Sequence, residues 1–405
     1  MLIDRHSRFA LAALAAPTFA HPALITPDLH TPLSLYIHIP WCVRKCPYCD
    51  FNSHQPKNAI DEAEYVRALL RDLDADKALA GQRELHSIFF GGGTPSLFSA
   101  HSIGDILSSV NQRYAFSDDI EITLEANPGT FEQEKFNGFR SAGINRLSIG
   151  IQSFDPAALK RLGRIHDGDE ARSAIDTAKR AGFDNINLDL MFALPEQTLA
   201  EAIDDIRSAC AYDVSHISYY QLTLEPNTLF YKQPPTLPES ELIWNMQETC
   251  QQLLAENSYV QYEVSAYSQQ RPCAHNLNYW RFGDYLGIGA GAHGKLGEPE
   301  RQRIQRRWKR RQPQDYISHA LEANALSGES TLSHDELVFE FLMNALRLPD
   351  GVETELFTQR TGLSRAILNA ACAHIDKDLL LIDDARIKTT AMGFRFLNSV
   401  LEKLL

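Results

Sequence analysis

Tyr36-Ile-His-Ile-Pro-Trp-Cys42-Val-Arg-Lys-Cys46-Pro-Tyr48-Cys49-Asp-Phe51 sets three cysteines in one tight loop straight after an apolar strand, with three residues and then two between them. Three thiolates so placed ask for a metal. A structural zinc site takes four protein ligands, usually as two close pairs, and a ferredoxin cubane brings a fourth cysteine. No fourth cysteine follows in register. A 4Fe-4S cluster held by Cys42, Cys46 and Cys49 alone leaves one iron open, as catalytic metal sites do, for a small molecule with an amine and a carboxylate. Zinc completed by a distant ligand and three unconnected core cysteines are the competing readings. The order of strand, cysteine loop and glycine-rich strand ends downstream favours the cluster.

Outward from this loop the chain alternates short apolar strands with amphipathic helices. Strands are expected at Leu35 to Ile39, Ser87 to Phe90, Ile120 to Glu125, Arg146 to Ile151, Ile186 to Met191 and His216 to Leu222. Helices follow each of them, from Ile60 to Leu79 through to Glu239 to Asn257. Six such units make an α/β fold with a parallel sheet. Eight close a full barrel, so six predict a partial (β/α)6 barrel with an open side.

In parallel α/β sheets ligands gather outside the carboxyl ends of the strands, and polar residues stand there in this sequence. The first strand end gives the cysteine loop and the second Gly91-Gly92-Gly93-Thr94-Pro95, where missing β-carbons let backbone N–H groups close on a carboxylate. A side chain at Gly92 should hinder that approach while sparing the cluster. The third ends Glu125-Ala-Asn127-Pro128, the fourth runs on to Gln152-Ser153, and the fifth carries Asp189; Arg164 follows the fourth. Any one of these alone reads as a helix cap or loop residue; five in sequence read as a site.

Cys42-x-x-x-Cys46-x-aromatic-Cys49 is similar to the signature of the radical SAM superfamily. Over nearly the whole chain after the leader, the order and spacing of these motifs resemble the branch that holds the oxygen-independent coproporphyrinogen III dehydrogenases and the HemW-type heme chaperones. The resemblance implies a radical SAM partial barrel, with S-adenosyl-L-methionine on the open iron of the 4Fe-4S cluster. It also implies that Tyr36, Tyr48, Gly92 and Glu125 contact that molecule, and that Gly93, Thr94, Gln152, Arg164 and Asp189 contact a second nucleotide or line the substrate cavity. Physically, Glu125 and Asp189 can accept hydrogen bonds from an amine or ribose hydroxyls, and Arg164 can hold a carboxylate with two parallel bonds.

Further on, His275-Asn276-Leu-Asn-Tyr279-Trp280 places a histidine beside two aromatics. It reads either as a packed polar corner or as an axial ligand over a planar macrocycle, with the aromatics covering ring surface; His-Asn-x-x-Tyr-Trp is similar to the HemW signature. His38, His166 and His293 stand next as ligand candidates. Arg301 to Arg311 carry seven basic side chains around Trp308. They are expected to form a solvated face, the alternative being attraction of propionates, through Arg303 or Arg306, or of an acidic partner or membrane surface. Helical patterns at Ser333 to Leu346, Glu353 to Thr361 and Arg365 to Lys377 precede a hairpin and a last helix from Met392 to Leu405, a smaller C-terminal α/β or winged-helix-like domain. The expected divisions are 1–31 leader, 32–260 barrel, 261–325 extension with the His-Asn-x-x-Tyr-Trp motif, and 326–405 C-terminal domain.

A net charge of -13 argues against a general nucleic-acid binder, which leaves a DNA-binding regulator acting through the tail as the weakest reading. Seven cysteines, only three of them clustered, read as a reducing, cytoplasmic compartment rather than a disulfide framework. The leader has Arg5 and Arg8 before an apolar stretch resembling a secretory signal, yet that stretch is short and broken by Pro17. It reads as a disordered extension or an overlong start. Between dehydrogenase and chaperone, two departures decide: Phe51 stands where the dehydrogenase motif has a further cysteine, and the cysteine loop begins soon after an unremarkable leader where the dehydrogenases have a longer N-terminal region. The expectation is a heme chaperone that delivers heme to hemoproteins, with no catalytic residue assigned. Peripheral membrane contact and a homodimer are compatible with it.

Overall fold

The computed structural model describes residues 31–129, 133–298 and 303–405. The leader up to residue 30 and Arg301 lie outside the described residues. Strand β1 (Leu33–Ile39) sets the pattern: Leu33, Leu35, Ile37 and Ile39 turn to one face, Ser34, Tyr36 and His38 to the other. The same parity runs through β2 (Leu85–Gly92), β3 (Phe116–Ala126), β4 (Arg146–Gln152), β5 (Asn185–Phe192) and β6 (His216–Gln221), all parallel. Register brings Tyr36 beside Phe89, Phe89 beside Thr123, and Thr123 beside Arg146. One face of the curved sheet is therefore largely polar. The other is aliphatic and shares one core with the surrounding helices.

The helices of this layer are α1 (Glu62–Ala80), α2 (Ala100–Asn111), α3 (Gln133–Ala142), α4 (Pro156–Arg161), α5 (Gly168–Arg180) and α6 (Leu199–Ala211). Helix α4 has no counterpart in the sequence reading. Helices α5 and α6 both start with capping boxes, Asp167 with Glu170 and Thr198 with Glu201. The short α7 (Leu229–Lys232) and α8 (Ser240–Glu256) follow β6.

The stretch beyond the sixth unit enters the sheet itself. Strands β7 (Val260–Glu263) and β8 (Ala266–Ser268) pair antiparallel on the β6 side; after α9 (Ala274–Trp280), β9 (Asp284–Ile288) lies parallel to β1. Strands β10 (His293–Glu298), β11 (Arg303–Lys309) and β12 (Leu326–Thr331), with α10 (Pro313–Leu321) between the last two, complete a 12-stranded sheet. Its order is β12-β11-β10-β9-β1-β2-β3-β4-β5-β6-β8-β7. Helix α9 packs against β2 and β1.

The basic run is strand β11, and the solvated-face expectation fails. Lys309 Nζ lies 2.6 Å from both Asp72 and Asp76 of α1, with all three side chains buried. Arg307 pairs with Asp76 and Glu329, Arg306 with Glu340, and Arg303 with Glu298. A charge-dense stretch becomes a buried strand when acids on neighbouring elements meet it, and leaving such acids unpaired costs roughly 3–5 kcal/mol. Arg303 and Arg306 are thus engaged by carboxylates of the protein and not held ready for propionates.

The C-terminal part comprises α11 (His334–Ala345), β13 (Val352–Glu353), α12 (Thr354–Thr361), α13 (Arg365–Cys372), β14 (Leu380–Ile382), β15 (Arg386–Thr389), α14 (Ala391–Arg395) and α15 (Leu397–Glu402). The three strands form their own sheet around a core that includes Phe341, Phe357 and Ile387. The expected last helix breaks in two at Phe396. This core continues onto Leu277 and Trp280 of α9, and Arg347 reaches Glu263 of β7 at 2.7 Å. Among the described residues no helix is long and apolar enough to cross a membrane.

Candidate cluster and ligand site

The cysteine loop leaves β1 at Ile39 and is pinned by its own backbone: Cys42 N–H donates to His54 O (3.0 Å) and His54 N–H to Pro40 O (2.7 Å). Asn52 ties it to the distant chain, its side-chain amide donating to Ala290 O and Arg311 O, both at 2.8 Å. Across from it, Gly93 N–H donates to Ile39 O (2.8 Å), and a β-carbon at Gly93 would stand 2.5 Å from Trp41 O. Only glycine lets the two strand ends come this close.

Cys42, Cys46 and Cys49 are unpaired and partly exposed. Thr94 Oγ1 donates to Cys42 Sγ at 3.5 Å and Arg164 Nη1 to Cys46 Sγ at 3.7 Å. Asn127 joins these two donors, giving a bond to Thr94 Oγ1 and accepting one from Arg164 Nη2, each at 2.9 Å. Burial pushes the Cys49 thiol up to about 11 and raises that of Cys42, so a metal must displace the protons it replaces. Among the described residues no three His, Cys, Asp or Glu side chains converge as one metal ion would need. A cubane asks something else, one thiolate for each of three irons, and three free thiols in a pinned loop with donors aimed at two sulfurs fit that demand.

Deeper in, Glu125 accepts from Gly92 N–H at 3.1 Å. Burial, and then the charge of Asp189, push its carboxyl up to about 8. Asp189 accepts from Ser148 (3.0 Å) and Asn187 (2.9 Å), yet burial still raises it. Gln152 accepts from Tyr220 O–H at 2.8 Å and sits in the left-handed region, φ 69°. Asp205 braces that turn by accepting from Ser153 Oγ and Phe154 N–H. Tyr36 O–H meets His38 Nδ1 at 2.9 Å, and Tyr48 packs near Phe230.

His275 lies on α9 inside the curve of the sheet, 2% exposed and stacked on Phe89. Its Nδ1 is 2.8 Å from Ser87 Oγ and its Nε2 is 2.9 Å from Tyr279 O–H. The Ser87 hydroxyl donates to Ser34, so its oxygen accepts from Nδ1–H and leaves the Nε2 lone pair facing Tyr279. Burial holds the ring neutral, its pKa lowered to about 3. Of the other histidines, His38 uses both nitrogens, on Tyr36 and on Asn52 O, and His166 Nε2 meets Ile151 O.

One cavity of about 700 Å³ is lined by every sequence-predicted site residue: Tyr36, Cys42, Cys46, Tyr48, Cys49, Gly92, Gly93, Thr94, Glu125, Gln152, Arg164, Asp189 and His275. His293 lines it too, whereas His166 does not. Sequence reasoning missed the linking role of Asn127 and missed Arg146, although residues 146, 148 and 152 share one parity along β4 and could have been read as facing inward together.

Residues 36–209 match the radical SAM superfamily and residues 332–396 the HemN C-terminal domain. The heme chaperone HemW of Haemophilus influenzae is 51% identical over 92% of this chain and 98% of its own length. That of Escherichia coli is 46% identical over the same shares. Among solved structures, the coproporphyrinogen III oxidase HemN of Escherichia coli superposes with a TM-score of 0.78 at 22% identity, covering 92% of this chain and 90% of that one, a likeness of fold.

Proposed function

Since the chain belongs to the radical SAM superfamily and, within it, to the family of the heme chaperone HemW, we propose that it binds heme and hands it to hemoproteins, carrying a 4Fe-4S cluster and S-adenosyl-L-methionine. When bound, the cluster supplies one-electron reduction of the sulfonium. Cys42, Cys46 and Cys49 would hold it, with Thr94 and Arg164 donating to its thiolates. Glu125 would take the amine of S-adenosylmethionine and the Gly92–Gly93 backbone its carboxylate, with Tyr36 and Tyr48 alongside. Thr94, Gln152, Arg164 and Asp189 would serve a second nucleotide or the substrate. Seven unpaired thiols and an open cluster suit the cytoplasm.

Glu125 gives this arrangement a pH signature. Its folded pKa of about 8 lies above the ordinary value, so it is mostly neutral in the empty protein at pH 7, and accepting N–H from the ligand's amine favours its ionised form. An amine that takes the open iron gives up its own proton as well, so the share of Glu125 is read by difference. At pH 7 the parent is expected to release close to one proton more per S-adenosylmethionine bound than Glu125→Gln, a difference that falls toward zero as pH rises through about 8. Calorimetry in buffers of different ionisation enthalpy reads both numbers, and equal release would remove Glu125 from the amine.

The observation that carries the heme reading is His275, a neutral imidazole oriented through Nδ1 by Ser87, with the Nε2 lone pair toward the cavity residue Tyr279. Orientation of one nitrogen by a hydrogen bond is what a metal-ligating histidine requires. Tyr279 must swing aside first. His275→Ala is expected to shift the Soret band and weaken heme about tenfold, or roughly 1.4 kcal/mol, with iron-sulfur content unchanged. An unchanged Soret band moves the ligand to His293. Anaerobically reconstituted protein offered coproporphyrinogen with S-adenosylmethionine should yield no protoporphyrinogen; turnover without heme binding would establish the dehydrogenase instead.

A further inference from the structure

Arg146 opens β4 on the inward parity of the strand, 2% exposed, and lines the cavity. Its one hydrogen bond among the described residues is to Thr123 Oγ1, at 3.5 Å, and its Nε has no partner. No carboxylate of the described residues stands within ion-pair distance of it, whereas Arg306 and Arg347 each meet one and Lys309 meets two. The nearby acids are spoken for. Glu121 accepts from Cys273 S–H (3.2 Å) and from the N–H groups of Ala274 and His275 (3.1 Å each). Asp189 accepts from Ser148 and Asn187. The facing histidines, His216 and His275, are held neutral by burial and then by the charge of Arg146 itself.

A guanidinium offers five N–H donors in a planar fork; Glu121 and Asp189 attract this one from beyond contact distance, but a buried cation with no anion in direct contact remains a costly group to hold. Water can satisfy donors but brings no charge. We infer that Arg146 is the docking point for the carboxylate of a ligand that enters this cavity, held by the guanidinium fork with Thr123 beside it. Two sources bring that chemistry: a propionate of the tetrapyrrole, an assignment that rests on the heme reading above, and the amino-acid end of a second S-adenosylmethionine molecule, distinct from the one whose carboxylate the Gly92–Gly93 backbone would hold. The cavity then has a polarity, with acceptors at Glu125 and Asp189 and a cation at Arg146.

The test uses full-length, anaerobically reconstituted protein and two ligand pairs: heme against its dimethyl ester, and S-adenosylmethionine against its decarboxylated form, which keeps the sulfonium and the amine and lacks only the carboxylate. If Arg146 takes a propionate, the ester binds about tenfold more weakly than heme in the parent, and the two bind within about twofold of each other in Arg146→Gln. If it takes the nucleoside ligand's carboxylate, the preference for S-adenosylmethionine over its decarboxylated form shrinks about tenfold in the variant while the heme pair is unaffected. Arg146→Lys, which keeps the charge and loses the fork, should fall between parent and Gln in whichever pair responds. Failure of both heme forms to bind defeats the heme reading and leaves the nucleoside pair to decide the role of Arg146. Neither ratio changing in either variant overturns the inference. Should neither variant fold, equal binding of heme and its dimethyl ester to the parent overturns the inference, and a preference for heme of about tenfold sustains it.

Discussion

Cys46→Ala is expected to take cluster iron from about four atoms per chain to nearly none. Three thiolates hold three irons and leave no margin, because losing one detaches a second iron and exposes the cluster to solvent. No other cysteine can take over. Cys210 and Cys250 pack in the barrel core and Cys372 in the C-terminal one, Cys273, just before α9, is committed to Glu121 of β3, and none of the four lines the cavity. Cys46 is also the sulfur that Arg164 addresses, so the variant removes one of the two thiolates held by the network that runs from Arg164 through Asn127 to Thr94 and Cys42. Iron and sulfide analysis after anaerobic reconstitution decides the matter. Iron and sulfide at the parent level, or zinc in place of iron in native protein purified without oxygen, would contradict the assignment.

Gly92→Val should fail on two counts, and more broadly than the glycine loop suggests by itself. Gly92 sits at φ 113°, which a β-branched residue avoids at a cost of roughly 1–3 kcal/mol. Its added β-carbon would lie 2.4 Å from His38 Cε1. His38 in turn holds Asn52 O through Nε2 at 2.9 Å, inside the cysteine loop. Displacing the imidazole therefore loosens the loop while the Gly92 N–H loses its aim at Glu125. The sequence suggested a variant that binds S-adenosylmethionine poorly and keeps its cluster. The structure calls for loss of both, with S-adenosylmethionine affinity down about 10- to 100-fold and substoichiometric iron. A variant with full iron content and parental affinity would rule out this coupling between His38 and the loop.

The site was legible because it is built from strand ends. A parallel strand ending in a glycine run, a carboxylate or an amide announces itself, and the inward parity of Ser148, Asn187 and Asp189 follows from period-two alternation. What the sequence hides is pairing across distance. Strand β9 lies in the glycine-rich run from Gly283 to Gly294, to which the sequence reading assigns no strand, and its pairing with β1 and β10 makes it one. The basic stretch of β11 looks solvated until Asp72 and Asp76, one turn apart on α1, are found beneath Lys309. His275 reads from the sequence either as a packed polar corner or as an axial ligand beside aromatics. In the fold its nitrogens are already placed by Ser87 and Tyr279, partners 188 and 4 residues away.

The bridge from Asn52 to Ala290 and Arg311 sets a timetable during synthesis. The cysteines emerge early, yet the residues that fix their loop are made 238 and 259 positions later, and β1 lacks its β9 neighbour until then. At roughly 5–20 residues per second this is an interval of about 10–50 s. Over that interval the nascent chain carries three exposed thiols with no finished cradle, so iron and sulfide delivered to it should be retained poorly. Cluster insertion belongs after translation has passed the last of these contacts, and a chain arrested between residues 150 and 280 should bind neither iron nor S-adenosylmethionine.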